Sequence, residues 1–397
     1  MLRPGRLVPA LLAVVLLIAI VNELRPVGPV TAMQTLAQPG ASGATGSPVP
    51  WPSNAQAAIG GADGGPAVST LNPIPQPIAS VAKVMTALEV LAEKPLRKGE
   101  SGPGITIGAD DVGEYQQAKA AGQSVVTVQA GEQLTELQAL QALLIPSGNN
   151  IASLLARWAA GSVDAMVQRM NDRARTMGLA RTRFDDTSGF SPKTVSVPAD
   201  LVRLGQQAMR DPVVADIVSQ QEATLPVAGT IPNVNYALGQ DGIVGIKTGN
   251  ITEVGAVYLF AAPATIGGRS TVLVGAVQGL PTLDLAFSGA KALLDAARTS
   301  LQAVHVVSRQ QTVGRYSPSW GGGSDVLASV DLDVLVWPGT VVRARLETTG
   351  ITGDVAAGAM VGRLRVTAGD SSFDVPVTTA DPIAGPGWAQ RLVRVTW

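Results

Sequence analysis

The chain has 397 residues, enough for two or three domains with a substantial core. Its 29 basic and 30 acidic side chains leave a formal charge of −1, so no net field gathers nucleic acid or an anionic membrane. The absence of cysteine excludes thiol catalysis, disulfides and thiolate metal sites, and a single histidine, His305, excludes a His-rich metal centre. A Ser-His-Asp triad would have to use that one histidine, so a serine hydrolase built on this chain needs a lysine as its base.

Arg3 and Arg6 precede an apolar run from Leu7 to Val21, the pattern of an export segment. Residues 1–25 are read as this N-terminal hydrophobic signal or anchor. Asn22-Glu23-Leu24-Arg25 offers no small-residue cleavage site, and fifteen apolar residues fall short of the ~20 usual for a span. A cleaved signal and an uncleaved anchor both remain open. Either one places the rest of the chain outside the cytoplasm, facing the cell wall, secreted or anchored. Residues 26–50, rich in Pro, Gly, Ser and Ala, read as a flexible linker.

From residue 51 to about 300 the pattern is that of a mixed domain. Gln56 to Ile59 is a candidate first strand. Ser80 to Leu91 carries Val81, Val84, Met85, Leu88 and Leu91 at helical spacing. Short extended pieces are expected at Ile105–Ile107 and Ser124–Val128. Helices are expected over Leu134–Leu144, from Ile151 to Trp158 and over Val163–Met177, with Asp200 as the N-cap of another running to Met209. Three Val- and Ile-rich runs, Gly242–Lys247, Ala256–Ala261 and Thr271–Val277, read as strands of one antiparallel sheet, and Leu283–Ala297 as a closing helix. This order predicts an α/β sandwich of antiparallel sheet and helical block. It carries no dinucleotide-binding glycine fingerprint, and no cofactor or metal is expected. Residues 301–397 contain only short β-like runs and are expected to form a small all-β domain.

Three short motifs carry chemistry. In Ser80-Val81-Ala82-Lys83, residues three apart share a helix face, so the serine hydroxyl and the lysine amine can meet. A buried lysine near other cations loses its proton readily enough to activate that serine. Ser147-Gly148-Asn149 lies in a break between apolar helices, offering a hydroxyl for proton relay and a carboxamide to hold the lysine and a substrate carbonyl. Lys247-Thr248-Gly249 ends a strand: cation and hydroxyl can bind a carboxylate, and the glycine lets a substrate backbone approach. Each motif alone is weak. Together, in this order and 67 and 100 residues apart, they form a specific signature.

The set resembles that of penicillin-binding enzymes and serine β-lactamases. From about Pro75 to Ala297 the chain resembles the serine-type D-alanyl-D-alanine carboxypeptidases, the low-molecular-mass penicillin-binding proteins. Pro77-Ile78-Ala79-Ser80-Val81-Ala82-Lys83-Val84-Met85, Met170 to Leu179, Thr182 to Gly189 and Gly245-Ile246-Lys247-Thr248-Gly249 carry the likeness. The resemblance implies Ser80 as acylated nucleophile, Lys83 as base, Ser147 as proton relay, and Asn149, Lys247, Thr248 and Gly249 as substrate-binding residues. It implies an oxyanion hole from the Ser80 N–H and one just after Gly249. The implied substrates are peptidoglycan stem peptides ending in D-Ala-D-Ala, with β-lactams as covalent inhibitors. One departure stands out: Asn250-Ile251 follows the third motif where the family has an aromatic residue or histidine and then threonine. A D,D-endopeptidase on cross-links, a serine β-lactamase and a non-catalytic wall-binding protein are the rival readings. His305 is expected to be structural.

Overall fold

The computed structural model describes residues 4–41, 49–62, 67–251, 255–369 and 371–393. Residues 42–48 of the expected 26–50 linker lie outside these, as do 252–254 and the last four residues. Helix α1 (Pro4–Leu24) opens the chain, followed by two-residue strands β1 (Met33–Gln34) and β2 (Gly40–Ala41). Among the described residues, no helix is long and apolar enough to cross a membrane. The chain forms two compact units: residues 44–302 with 335–338, and residues 1–43 with 303–334 and 339–397.

The first unit is built on a five-stranded sheet. β3 (Gln56–Gly61) and β4 (Val68–Ser69) come before the helices, and β5 (Gly245–Ile251), β6 (Gly255–Ile266) and β7 (Arg269–Leu280) after them. The order is β5-β6-β7-β3-β4 with antiparallel neighbours throughout, so β5, which carries the third motif, is an edge strand. Because side chains alternate along a strand, Val257, Leu259 and Ala261 enter the core shared with the helical block. Tyr258, one position out of phase, meets Phe287 of the closing helix Leu283–Ser300 edge-on, their ring centres 4.8 Å apart.

The helical block follows the sequence reading closely. Helix α2 (Ala82–Glu93) is buried along almost its whole length, which explains its apolar or small residues on every face. α3 spans Ala109–Ala120 and carries one buried apolar side chain, Tyr115; its weak apolar periodicity left it unmarked in the sequence. α4 (Glu136–Leu144) begins with a capping box between Thr135 and Gln138. α5 (Asn149–Ala160) starts after the Ser147-Gly148 turn, and α6 (Val163–Thr176) is capped by Ser162. Two expectations need correction. Ser124–Val128 forms no strand. Asp200 is not an N-cap: α7 (Pro198–Arg210) starts at Pro198, whose fixed φ suits a first helical position, and its cap residue is Val197. The buried Asp200 carboxylate instead accepts from the Arg181 N–H and the Thr182 hydroxyl, each at 2.9 Å.

The second unit is a seven-stranded antiparallel sheet. Its strands from the C-terminal part are β8 (Thr312–Tyr316), β9 (Ser324–Ala328), β10 (Val341–Thr348), β11 (Met360–Ala368) and β12 (Ser371–Thr379). They run in the order β8-β9-β12-β11-β10, and β1 covers the β8 edge while β2 covers the β10 edge. The stretch expected as a plain linker therefore closes both edges of one sheet. β2 reaches only Val341 and Val342. Beyond it, glutamine side chains substitute for a strand. Gln38 accepts from the Ala344 N–H at 3.0 Å and donates to the Ala344 carbonyl at 2.7 Å, and Gln34 accepts from the Leu346 N–H at 2.8 Å. A carboxamide has the donor and acceptor pair of a peptide group, so composition alone hides this role. Covering an edge in this way removes unpaired backbone groups that would template pairing with another chain. Replacing Gln34 with Ala is expected to speed amide exchange at Leu346, and replacing Gln38 to speed it at Ala344, measured by hydrogen-exchange NMR or mass spectrometry. Unchanged exchange at both amides would refute the edge role.

Candidate active site

Ser80 sits in a single 3-10 turn, Ala79–Val81, that leads directly into α2. Ala79 holds φ +46°, a left-handed conformation that a residue with a Cβ adopts at some cost. The turn delivers the half-buried Ser80 hydroxyl to a cleft of about 610 Å³ lined also by Gln123, Asn149, Phe190, Pro192 and Asn250. One helical step on, the Lys83 amine lies 2.8 Å from Ser80 Oγ. Lys83 is fully buried, and its amine also donates to the Ser188 carbonyl at 2.9 Å. Burial first, and then the nearby Lys247 cation, push the Lys83 pKa well below its ordinary value, while the Asp186 charge opposes them. A neutral amine keeps one lone pair. With one N–H given to Ser188, that lone pair is free to take the Ser80 proton.

The other motifs border the same place. Gly249 of β5 packs against the nucleophile turn so tightly that a Cβ there would lie 2.8 Å from Ala79 Cβ, 3.0 Å from the Ile78 oxygen and 3.1 Å from Ser80 N. Only glycine lets the strand edge approach the Ser80 N–H this closely. Lys247 is buried, donates to the Thr248 carbonyl at 3.1 Å, and burial pulls its pKa down to about 7. Thr248 is buried beside it. Asn149 is the first residue of α5; its Nδ2 donates to Gln123 Oε1 at 2.8 Å, and its buried Oδ1 has no hydrogen-bond partner. Ser147, at φ +70°, has a buried hydroxyl that likewise lacks a partner. Ser80 and Lys83 are thus directly joined and Gly249 abuts them. Ser147 and Asn149 keep unused polar atoms instead of bonding to Lys83. Among the described residues no acidic or histidine cluster could hold a metal ion.

The sequence reading gave no role to the turn Thr187-Ser188-Gly189, and the structure places it against Ala79 and Lys83, beside Ser80. Ser188 supplies the carbonyl for Lys83, and the Thr187 carbonyl accepts from Thr86 of α2 at 2.6 Å. Gly189, at φ +77°, lies so close that a Cβ would be 1.7 Å from the Ala79 oxygen. Backbone carbonyls carry no sequence signal; only the likeness of the whole stretch to family sequence marked it. Gln123 was missed for a similar reason, since a lone glutamine in a loop has no diagnostic spacing.

His305 lies elsewhere. Its Nδ1 is 2.7 Å from Asp333 and its Nε2 2.9 Å from Ser308 Oγ, in Ser-His-Asp order. Yet the backbone N–H groups of Ser308 and Arg309 are committed to Gln311 and Asp331, at 2.8 Å each, so that serine lacks the nearest oxyanion donors. The arrangement ties the segment around 305–308 to Asp333.

The profile of a protein family described as D-alanyl-D-alanine carboxypeptidase matches residues 69–277, more than half of the chain and all three motifs. The chain belongs to this family. Among curated relatives, it is 30% identical over 220 residues to D-alanyl-D-alanine carboxypeptidase DacC of Escherichia coli (strain K12), covering 54% of each chain. It is 31% identical over 207 residues to D-alanyl-D-alanine carboxypeptidase DacB2 of Mycobacterium tuberculosis, covering 50% of this chain and 66% of that one. It is also 32% identical over 196 residues to a D-alanyl-D-alanine endopeptidase of Haemophilus influenzae, covering 47% of this chain and 62% of that one. The chain thus spans between about half and two thirds of the length of these relatives. Penicillin binding protein 5 from Haemophilus influenzae has a similar fold, with a TM-score of 0.68 over 86% of this chain and 100% of that one at 19% identity. The Streptomyces K15 DD-transpeptidase is similar over 60% of this chain and 95% of that one, at 25% identity and a TM-score of 0.54. The penicillin-binding fold expected from the motifs is thus the fold observed.

Two substitutions probe this geometry in the carboxypeptidase-family chain. Lys83→Arg puts a permanent cation beside Ser80 and is expected to slow acylation by a β-lactam roughly 10²–10⁴-fold. Gly189→Ala is expected to abolish acylation or unfold the protein, because its Cβ has no room below Ala79. Stopped-flow acylation and thermal melting check both, and near-normal acylation in either would contradict the arrangement described.

Proposed function

We propose that this protein is a serine-type D-alanyl-D-alanine carboxypeptidase acting on peptidoglycan stem peptides, with residues 51–300 as its catalytic domain. The observation that carries the reading is the 2.8 Å contact between Ser80 Oγ and the buried Lys83 amine, within a matched carboxypeptidase family. Ser80 Oγ attacks the penultimate carbonyl of a D-Ala-D-Ala terminus while Lys83 takes its proton. The tetrahedral oxyanion is received by the Ser80 N–H and the Asn250 N–H just after Gly249. Collapse expels D-alanine, whose nitrogen takes a proton returned through Lys83 and Ser147. Water then attacks the Ser80 ester and frees the shortened peptide. The unused Asn149 Oδ1 and Ser147 hydroxyl are the polar atoms such a substrate complex would engage.

Lys247 and Thr248 bind the terminal carboxylate. Because Lys247 has a pKa of about 7 when the site is empty, its charged form fades as pH rises above 7. Carboxylate binding is therefore expected to weaken above neutrality, while Lys83 must be neutral to act as base. A β-lactam enters the same path, its ring opening onto Ser80 to leave a slowly cleared ester. We further propose an extracytoplasmic location, with residues 1–25 directing export as a signal or membrane anchor.

The D,D-endopeptidase reading is supported by the likeness to the Haemophilus influenzae endopeptidase. Mass spectrometry of digested muropeptides separates the two. Free D-alanine from pentapeptides, lost in Ser80→Ala, is the expected outcome. Monomers released from cross-linked dimers without free D-alanine would favour the endopeptidase, and binding with neither product would leave only a wall-binding protein.

A further inference from the structure

The Asp186 carboxylate gathers four donors from the turn beneath the nucleophile. Oδ2 accepts from the Ser188 hydroxyl at 2.7 Å, the Phe190 N–H at 2.9 Å and the Ser188 N–H at 3.2 Å. Oδ1 accepts from the Thr194 hydroxyl at 2.6 Å. Thr194 Oγ1 in turn accepts from the Asp185 N–H at 3.0 Å and the Asp186 N–H at 3.3 Å, closing the turn on itself. The same turn presents the Thr187 and Ser188 carbonyls to α2, one to Thr86 and one to Lys83. A chain of contacts therefore runs from Asp186 to the Ser188 N–H and hydroxyl, through the Ser188 backbone to its carbonyl, and on to the Lys83 amine and Ser80 Oγ.

This chain is more than a turn-closing device, because its far end is the group that changes charge. When Lys83 takes the Ser80 proton it becomes a buried ammonium, and the groups facing it have opposite effects. Lys247, across on β5, opposes the new charge, and Asp186 favours it. Glu114 lines the groove that Asp186 also borders, but it is paired with Arg157 at 2.5 Å. Asp186 is thus the carboxylate in electrostatic reach of Lys83 that is not itself neutralised by a cation in the described contacts.

We propose that Asp186 is a positioning residue of the acylation step: its carboxylate fixes the turn whose Ser188 carbonyl orients the Lys83 amine, and its charge offsets Lys247 as that amine becomes an ammonium. The proposal rests on the carboxypeptidase reading, with Ser80 as nucleophile and Lys83 as base. It does not place Asp186 in contact with substrate.

The test is the pH dependence of benzylpenicillin acylation from pH 5 to 9 for the full chain, Asp186→Asn and Asp186→Glu, with thermal melting of each. Removing the charge lowers the pH at which Lys83 gains its proton. Asp186→Asn is therefore expected to shift the acid limb to lower pH and to reduce the plateau rate about tenfold. Asp186→Glu keeps the charge with altered reach, so its limb should stay in place while its plateau falls. A merely structural role moves the melting temperature and the plateau but leaves both limbs alone, and that result would overturn the proposal. So would limbs displaced equally in both variants. If the unaltered chain forms no adduct at all, the carboxypeptidase reading fails first. An adduct in the unaltered chain with an unmoved limb in Asp186→Asn defeats this inference alone.

Discussion

A lysine amine with no exposed surface, 2.8 Å from a serine hydroxyl, is the constraint on which the rest of the catalytic unit depends. An ammonium in such a place is costly, and the cheapest resolution is for the group to release its proton. Burial that would be a defect elsewhere is what the proposed mechanism asks of Lys83 as a base. Helix α2 is buried on nearly all sides, and Ser80 lies in the turn from Ala79 to Val81 at its start. Lys247, held at the edge strand, adds a second cation that deepens the effect and stands ready for a carboxylate.

Close backbone approaches then hold the parts together. Gly249 brings the strand edge to the Ser80 N–H, and Gly189 brings the Asp186 turn up beneath Ala79. Both glycines trade conformational freedom for proximity, since a single methyl group at either would meet backbone or Ala79. The result is a serine, Ser80, pinned between an edge strand and a turn, with α2 behind it. Asn149 lines the same cleft as Ser80, and its Oδ1, like the Ser147 hydroxyl, is buried without a hydrogen-bond partner.

Much of this was legible in the sequence because the chemistry depends on side chains at fixed spacing. Ser80 and Lys83 meet for the simple reason that three residues bring them onto one face of a helix. Lys247-Thr248-Gly249 was readable as part of a strand, but not as its end: the strand starts only at Gly245 and runs on to Ile251, so the motif lies in its middle. What escaped was carried by backbone or by single residues without pattern. The Ser188 carbonyl that receives Lys83 could have belonged to any residue type. Asp200 looked like a helix cap, but Pro198 had already set the helix start, leaving that carboxylate to bind Arg181 and Thr182. The N-terminal strands were hidden most thoroughly: a stretch poor in apolar residues reads as a tether, yet two short backbone pairings and the glutamine contacts to Ala344 and Leu346 make it part of a sheet. Helix α3, with one buried apolar residue, lacked the periodicity that marked its neighbours.

The claim that matters most is that burial holds the Lys83 pKa well below its ordinary value, so that its amine takes the Ser80 proton. The rate of covalent modification by benzylpenicillin, followed by intact-protein mass from pH 5 to 10, tests it most directly. A rate whose rise with pH ends well short of pH 10, with the adduct absent in Ser80→Ala, is the predicted result. A rate that keeps climbing tenfold per pH unit towards 10, as an ordinary lysine losing its proton would dictate, would contradict the account.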